Sequence, residues 1–401
     1  MNLETKKTLD YYAGGLGMAL VRPWVWLLGL FLHRDHAPEV RDSLCFVKML
    51  GGGSLVIAYP ALLGLRLRHP DATLSLITLR GVRPFAESLG VFDRIDEIDD
   101  SSAARLVASA LRCLWRNLRV DTVVDLEVYS RLTTLLSTLT GARNRVGFYL
   151  ESVFWRRRLH THLLFFNRFS GSFHWYDAVA RLLGVEPASV EQCRRRLRER
   201  FRPGSAQAGA PRRIAIGHGC SDFARERMLD EDQWSVVLER RLPASQPAEV
   251  IFLGARDDRP LADRVVERAA GRVPWVCFRN RCGELPLDGS LEVLASCHEF
   301  WGVDSALLHY ARLLSLRCVS FWGPTDPATR LRHMADLEEE VHYGKVPCSP
   351  CVHVAEEPPC RGDNVCVRGL FGGGRAPDSI WWLTSGSAPC RAGRRSAQAA
   401  K

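Results

Sequence analysis

EFWGVDSALLHYARLLSLRCVSFWGPTDPATR, residues 299–330, decides how the chain folds. Four residues at 300–303 read as a short apolar strand, and Asp304-Ser305-Ala306 then open a helix over 306–315 that carries His309 one turn in. Free backbone N–H groups at such a helix start favour an anion. A second strand at 318–322 ends in Gly323-Pro324-Thr325-Asp326-Pro327, another turn at the carboxyl edge of a sheet. Ligands of open α/β sheets bind at that edge.

The same rhythm runs outward from this stretch. Residues 43–50 read as a buried strand, followed by Gly51-Gly52-Gly53-Ser54 and a helix to about residue 69. Glycines at that turn let the backbone approach a ligand closely. Strands are expected at 72–78, 122–126 and 145–148, with helices at 82–89, around 103–118 and up to 139. Asp125 and Glu127 stand at a strand end with side chains on one face, and Arg131 follows. After residues 201–211, whose FRPGSAQAGAP has linker composition, the rhythm restarts. A strand at 212–217 ends in Gly217-His218-Gly219, Arg227 follows, and a strand at 249–253 ends in Gly254. The expected division is therefore an apolar segment at 1–40, an α/β domain at 41–200, the linker, a second α/β domain at 212–345, and a cysteine-containing segment with a poorly ordered tail at 346–401.

The pair Asp304-Ser305-Ala306-Leu307-Leu308-His309 and Phe321-Trp322-Gly323-Pro324-Thr325-Asp326-Pro327 resembles the donor-site motifs of glycosyltransferase family 9, the ADP-heptose:lipopolysaccharide heptosyltransferases. That family reads roughly D-[ST]-G-x-x-H and then F-G-P-T-x-P, so Ala306 replaces a glycine. The first loop is similar too: Gly53-Ser54-Leu55-Val56 falls on L-G-D-V, with Ser54 where the family has its catalytic aspartate. Serine cannot deprotonate a sugar hydroxyl unaided, so the D-L-E run at 125–127 supplies Glu127 as the replacement base, beside Asp125. Arg227 falls where the family carries a lysine against the donor phosphates.

The resemblance implies a GT-B architecture, two Rossmann-like domains facing across a cleft. The donor would lie against Gly217, Arg227, Gly254, Asp304, Ser305, Ala306, His309, Gly323, Pro324 and Thr325, and the acceptor against Gly52, Gly53 and Arg131. It implies an inverting, metal-independent transfer of a sugar, foremost heptose from ADP-heptose, to a lipopolysaccharide-core or other cell-surface glycan, with no cofactor beyond the nucleotide-sugar donor. Ser54 leaves a second class open: a catalytically impaired nucleotide-sugar-binding partner of another transferase. An oxidoreductase is disfavoured, because no G-x-G-x-x-G with its ribose-binding acid is found.

A net charge of +9 suits an anionic partner, either the nucleotide sugar or an anionic membrane surface. Nucleic acid fits poorly, because the arginine runs at 156–158 and 194–202 lack interleaved aromatics and read as solvated faces. The basic, aromatic stretch at 149–175 reads as a loop suited to an acidic acceptor. Most of the thirteen cysteines are scattered through apolar segments, which suits a reducing compartment. Cys348, Cys351, Cys360 and Cys366 begin with C-x-x-C but continue at irregular spacing, so no metal site is assigned to them. Residues 11–32 are apolar and rich in tryptophan but interrupted by Arg22-Pro23. They lack a cleavage site and read either as an interfacial helix or as a helix packed on the first domain. The expected location is cytoplasmic, peripheral on the cytoplasmic face of the bacterial inner membrane.

Overall fold

The computed structural model describes residues 3–201, 211–221, 224–352, 354–355 and 358–371. Most of the expected linker and the tail from residue 372 lie outside these. The chain opens on α1 (Leu3–Leu9) and α2 (Gly15–Leu32), joined by a wide helical turn over Asp10–Gly14. Pro23 lies inside α2 without ending it, contrary to the break expected at Arg22-Pro23.

The first lobe holds β1 (Ser43–Val47), β2 (Thr73–Leu79), β3 (Arg94–Ile98), β4 (Thr122–Asp125), β5 (Asn144–Tyr149) and β6 (His162–Phe165). They pair in parallel in the order β3-β2-β1-β4-β5-β6. Helices α3 (Gly52–Arg68) and α4 (Arg83–Leu89) cover one face and α5 (Ala103–Arg116) and α6 (Arg131–Leu139) the other, which is why Leu44 to Val47 are buried on both sides. Two further helices, α7 (Ser172–Leu182) and α8 (Val190–Arg200), complete the lobe.

The second lobe repeats the plan. Its strands are β7 (Arg212–Gly217), β8 (Ala248–Phe252), β9 (Val276–Asn280), β10 (Glu299–Val303), β11 (Arg317–Trp322) and β12 (Glu339–Tyr343), ordered β12-β11-β10-β7-β8-β9. Between them run α9 (Glu231–Arg241), α10 (Arg259–Ala270), α11 (Leu287–Ala295) and α12 (Ala306–Leu313). In both lobes the first and fourth strands are neighbours from which connections leave in opposite directions, so each has its ligand-binding crevice there. This is the GT-B arrangement expected.

Strands β3 (RIDEI) and β12 (EEVHY) lie at sheet edges and carry charges among their apolar residues. That guards an edge and also hides the strand from a hydrophobicity reading. The 149–175 stretch is more ordered than a loop, contributing β6 and the start of α7. The arginines of α8 are not simply a solvated face: Arg194 is buried on Asp336, Arg198 reaches the Leu314 carbonyl and Arg200 pairs with Asp288. They tie the lobes together, as do Ser88 with Tyr310, Ser172 Oγ donating to the Thr329 carbonyl at 3.0 Å, and Arg332 with Asp177 at 2.8 Å. One apolar core runs through both lobes, from Leu62 on α3 to Leu308 and Leu313 on α12.

Candidate active site

In the second lobe every residue of β10 is buried, and the strand delivers Asp304 and Ser305 to the start of α12. Ser305 occupies the N-cap with extended backbone, yet its side chain caps nothing and its buried Oγ has no partner. The first N–H groups of α12 are thus left without the usual serine cap. Near them, just past the end of β11, Thr325 is 1% exposed and its hydroxyl stands beside the Asp304 carboxylate, which it helps hold ionised. A buried hydroxyl without a partner is uncommon, and one at an uncapped helix start suits a polar ligand.

Arg227 is fixed over this spot. Its Nη1 donates to the Asp304 carbonyl at 2.8 Å and carboxylate at 3.3 Å, and its Nε to the Ala224 carbonyl at 3.1 Å. Burial pushes Asp304 up, but Arg227 and Arg330 outweigh it and hold the carboxyl below its usual range. Burial drives His309 down to about 4, so the ring is neutral, 3.9 Å from Asp304.

Gly217 and Gly254 end β7 and β8 and make room for protein neighbours. A Cβ on Gly217 would stand 2.6 Å from the Phe300 ring, and one on Gly254 2.6 Å from the Asp258 carboxylate. Behind the Gly323-Pro324-Thr325 turn the cysteine-containing segment folds back as part of the second lobe. Cys351 N and Val352 N donate to the Pro324 carbonyl at 3.1 Å, and a Cβ on Gly323 would meet Cys366 Sγ at 2.7 Å. Among the described residues no three His, Cys, Asp or Glu side chains converge to hold a metal, Cys348, Cys351, Cys360 and Cys366 included.

In the first lobe Glu127 Oε1 accepts from Lys48 Nζ at 3.0 Å, Met49 N at 2.8 Å and Leu50 N at 3.0 Å. Burial alone would raise its pKa, but Lys48 and the two backbone donors hold it below the usual range, and Glu127 holds Lys48 above its own. The carboxylate therefore braces the glycine loop, an occupation the sequence did not suggest. Asp125 is wholly buried and accepts from Arg156, Thr133 Oγ1 and Glu127 N. Burial pushes it up to about 6 despite Arg156. It cannot meet an acceptor from there, whereas the Glu127 side chain keeps 17% exposure.

Arg131 is engaged elsewhere than expected. Its guanidinium lies between the Tyr11 and Trp155 rings, 4.0 and 4.7 Å from their centroids, and donates to the Tyr11 carbonyl at 2.9 Å. It clamps the N-terminal helix, because cation–π stacking and the carbonyl use up its open faces. Arg156 is likewise no solvated residue: it is fully buried on Asp125 and the Glu127 carbonyl. Nothing local in its Arg-Arg-Arg run distinguishes it from Arg157 and Arg158. Lys48, hidden at a strand end, and Arg330, which lines the crevice with His309, were also missed.

The lobes meet at the loops. Gly52 packs on Phe85, and a Cβ on Gly53 would lie 3.4 Å from Ala306 Cα, so the first turn of α3, which carries Ser54, touches the start of α12. The crevice beside His309, lined by Ile57, Phe173 and Arg330, holds only ≈ 30 Å³ in this closed arrangement. A larger cavity of ≈ 530 Å³ opens between Tyr59, Leu89 and Arg200, at the amino ends of the strands and away from these groups.

Comparison with known proteins agrees with this fold. Residues 135–360 match the model of glycosyltransferase family 9 (heptosyltransferase). Lipopolysaccharide heptosyltransferase 1 of Pseudomonas aeruginosa is 33% identical over 111 residues, which covers 23% of this chain and 30% of that relative. Two solved structures share the fold. ADP-heptose lps heptosyltransferase II of E. coli has a TM-score of 0.57 at 17% identity, over 82% of this chain and 98% of that one. E. coli heptosyltransferase WaaC with ADP has a TM-score of 0.58 at 15% identity, over 75% and 92%. With more than half of its length matched by the family model, the chain belongs to glycosyltransferase family 9.

Proposed function

We propose that the chain transfers a sugar, foremost heptose from ADP-heptose, to a hydroxyl of a lipopolysaccharide-core or other cell-surface glycan, with inversion and without a metal. The observation that carries this reading is the unpartnered buried hydroxyl of Ser305 at an uncapped helix start, with Thr325 beside Asp304 and Arg227 held over them. Those groups suit a diphosphate: N–H donors, two hydroxyls and a guanidinium converge where negative charge grows as the leaving group departs. The solved WaaC structures hold ADP and ADP-2-deoxy-2-fluoro heptose, which supports an ADP-linked donor here.

In the reaction the acceptor oxygen attacks the anomeric carbon from the face opposite the diphosphate. The bond from that carbon to the phosphate oxygen breaks and ADP leaves with the electron pair. The acceptor proton passes to Glu127, which its Lys48 partner keeps ionised. The approach of Gly53 to Ala306 supports a site that closes over the donor and excludes water.

The test is ADP release from ADP-heptose, measured with and without a lipid-linked core acceptor, beside calorimetric binding of ADP. Acceptor-dependent release supports the reading, and failure to bind ADP sinks it. Ser54 in the aspartate's place favours a second reading, a binding partner that has lost catalysis. ADP binding without release against any glycan acceptor would select it.

A further inference from the structure

We infer that α1 and α2 form a membrane-docking platform that lies in the plane of an anionic bilayer surface and does not cross it. Within Glu4–Leu32 an 18-residue window has mean hydropathy 1.6 and only 6% of that window is buried, so length and composition alone would allow a span. Its ties to the first lobe oppose one. Asp10 caps the start of α6, accepting from Arg131 N and Leu132 N at 2.9 Å. Gly14 and Gly17 let the helix touch α6, where Cβ atoms would stand 2.6 Å from Arg131 Cβ and 2.4 Å from Leu135 Cδ2. Midway, Arg22 Nη2 donates to the Trp155 carbonyl at 2.8 Å. Just past the end, Arg34 Nη1 donates to the Gly141 carbonyl and His36 Nδ1 contacts the Arg143 carbonyl, both at 2.6 Å. A helix of about 27 Å held to one lobe at its start, middle and end runs along that lobe and cannot project through a bilayer.

The side turned away from the lobe carries Leu16, Leu20, Trp24 and Phe31, the last 77% exposed, and every residue from Trp26 to Leu32 is exposed. A helix apolar on both its sides, with no groove to receive a partner, suits a fluid apolar phase, and tryptophans favour the headgroup boundary. The neighbouring surface continues the pattern. Lys6 pairs with Asp100 just ahead of α5, whose Val107, Leu111 and Trp115 form one exposed stripe. Helix α5 shares a sheet face with α6, the helix that α2 packs against. Arg112 lies beside that stripe, flanked by Arg105 on Asp99 and Arg116 on Asp96, on a chain of net charge +9, which complements anionic headgroups and sets the bilayer apart from a second copy of the same surface. These helices precede residues 135–360, so the platform stands outside the family match. It needs no assumption about the reaction.

The full chain, purified without detergent, is tested by flotation with phosphatidylcholine vesicles with and without phosphatidylglycerol. It should float with the mixed vesicles, less so as salt rises. The double substitution Trp24→Glu with Phe31→Glu should cut partitioning about a hundredfold, while circular dichroism and ADP binding stay unchanged. Quenching by brominated lipids should be stronger from shallow than from deep bromines, and the difference should vanish in a Trp24→Phe, Trp26→Phe, Trp115→Phe chain. The inference is overturned if the chain stays unbound, if the double variant floats as well as the parent, or if deep bromines quench more. A dimer that the same substitutions dissociate, with vesicle binding unaltered, would overturn it in favour of a second copy.

Discussion

Replacing Glu127 by glutamine separates its two occupations. The amide oxygen can still accept from Met49 N and Leu50 N, at 2.8 and 3.0 Å in the parent, so the loop keeps its shape. Lys48, 8% exposed, loses the only carboxylate within salt-bridge distance of it among the described residues. A charge stranded in a buried site costs about 3–5 kcal/mol, and partial exposure of the site puts the expected loss near the lower figure. Chemical denaturation should therefore show Glu127→Gln about 3 kcal/mol less stable. If Glu127 also takes the acceptor proton, turnover in the ADP-release assay should fall by about 10²–10⁴. ADP affinity, set in the other lobe, should stay within about twofold, well under the tenfold that 1.4 kcal/mol represents. Adding Lys48→Met removes the stranded charge and should restore most of the stability without restoring turnover. A double variant that regains turnover would refute Glu127 as base and leave it as a brace.

Arg227→Ala removes a guanidinium held over the start of α12 and should weaken ADP binding by about 10- to 100-fold, the worth of a charge-assisted hydrogen bond; Arg227→Lys should recover part of it in the same titration. Gly53→Ala places its Cβ 3.4 Å from Ala306 Cα, ordinary contact, and should leave kinetics unchanged. Gly53→Val wedges the lobes apart and should raise the donor KM about tenfold, in line with overpacking costs of about 1–3 kcal/mol. His309, driven by burial to about 4 from 6.5, is neutral in the fold, so the unfolded chain takes up the proton first. Its contribution is fully present above pH 6.5 and is lost as pH falls toward 4, by about 3 kcal/mol, and His309→Asn should flatten that part of the stability–pH curve.

The second lobe was the more legible from sequence, because its site is contiguous. Asp304 and Ser305 directly follow the buried strand β10 and Thr325 follows β11 by three residues, and a strand's end fixes where the next residue points. Strand β10, helix α12 and strand β11 could be read in one line for that reason. The first lobe hid more. Arg156 meets Asp125 across 31 residues, and Lys48 meets Glu127 across 79, pairings that no local pattern encodes. Edge strands β3 and β12 escaped because the charges that protect an edge also erase its apolar period.

Composition and periodicity determined that this chain makes two parallel-sheet lobes with anion-ready turns at their strand ends. Tertiary structure alone decided which charges work and which merely hold: Arg131 is spent on the N-terminal helix, Glu127 is tied to its own loop, and the α8 arginines bind the lobes together. It also decided that α2 lies along its lobe. The reason is that strand and helix periods are local, whereas a side chain's partner, and so its protonation and reach, depends on which distant segment the fold brings within 3 Å.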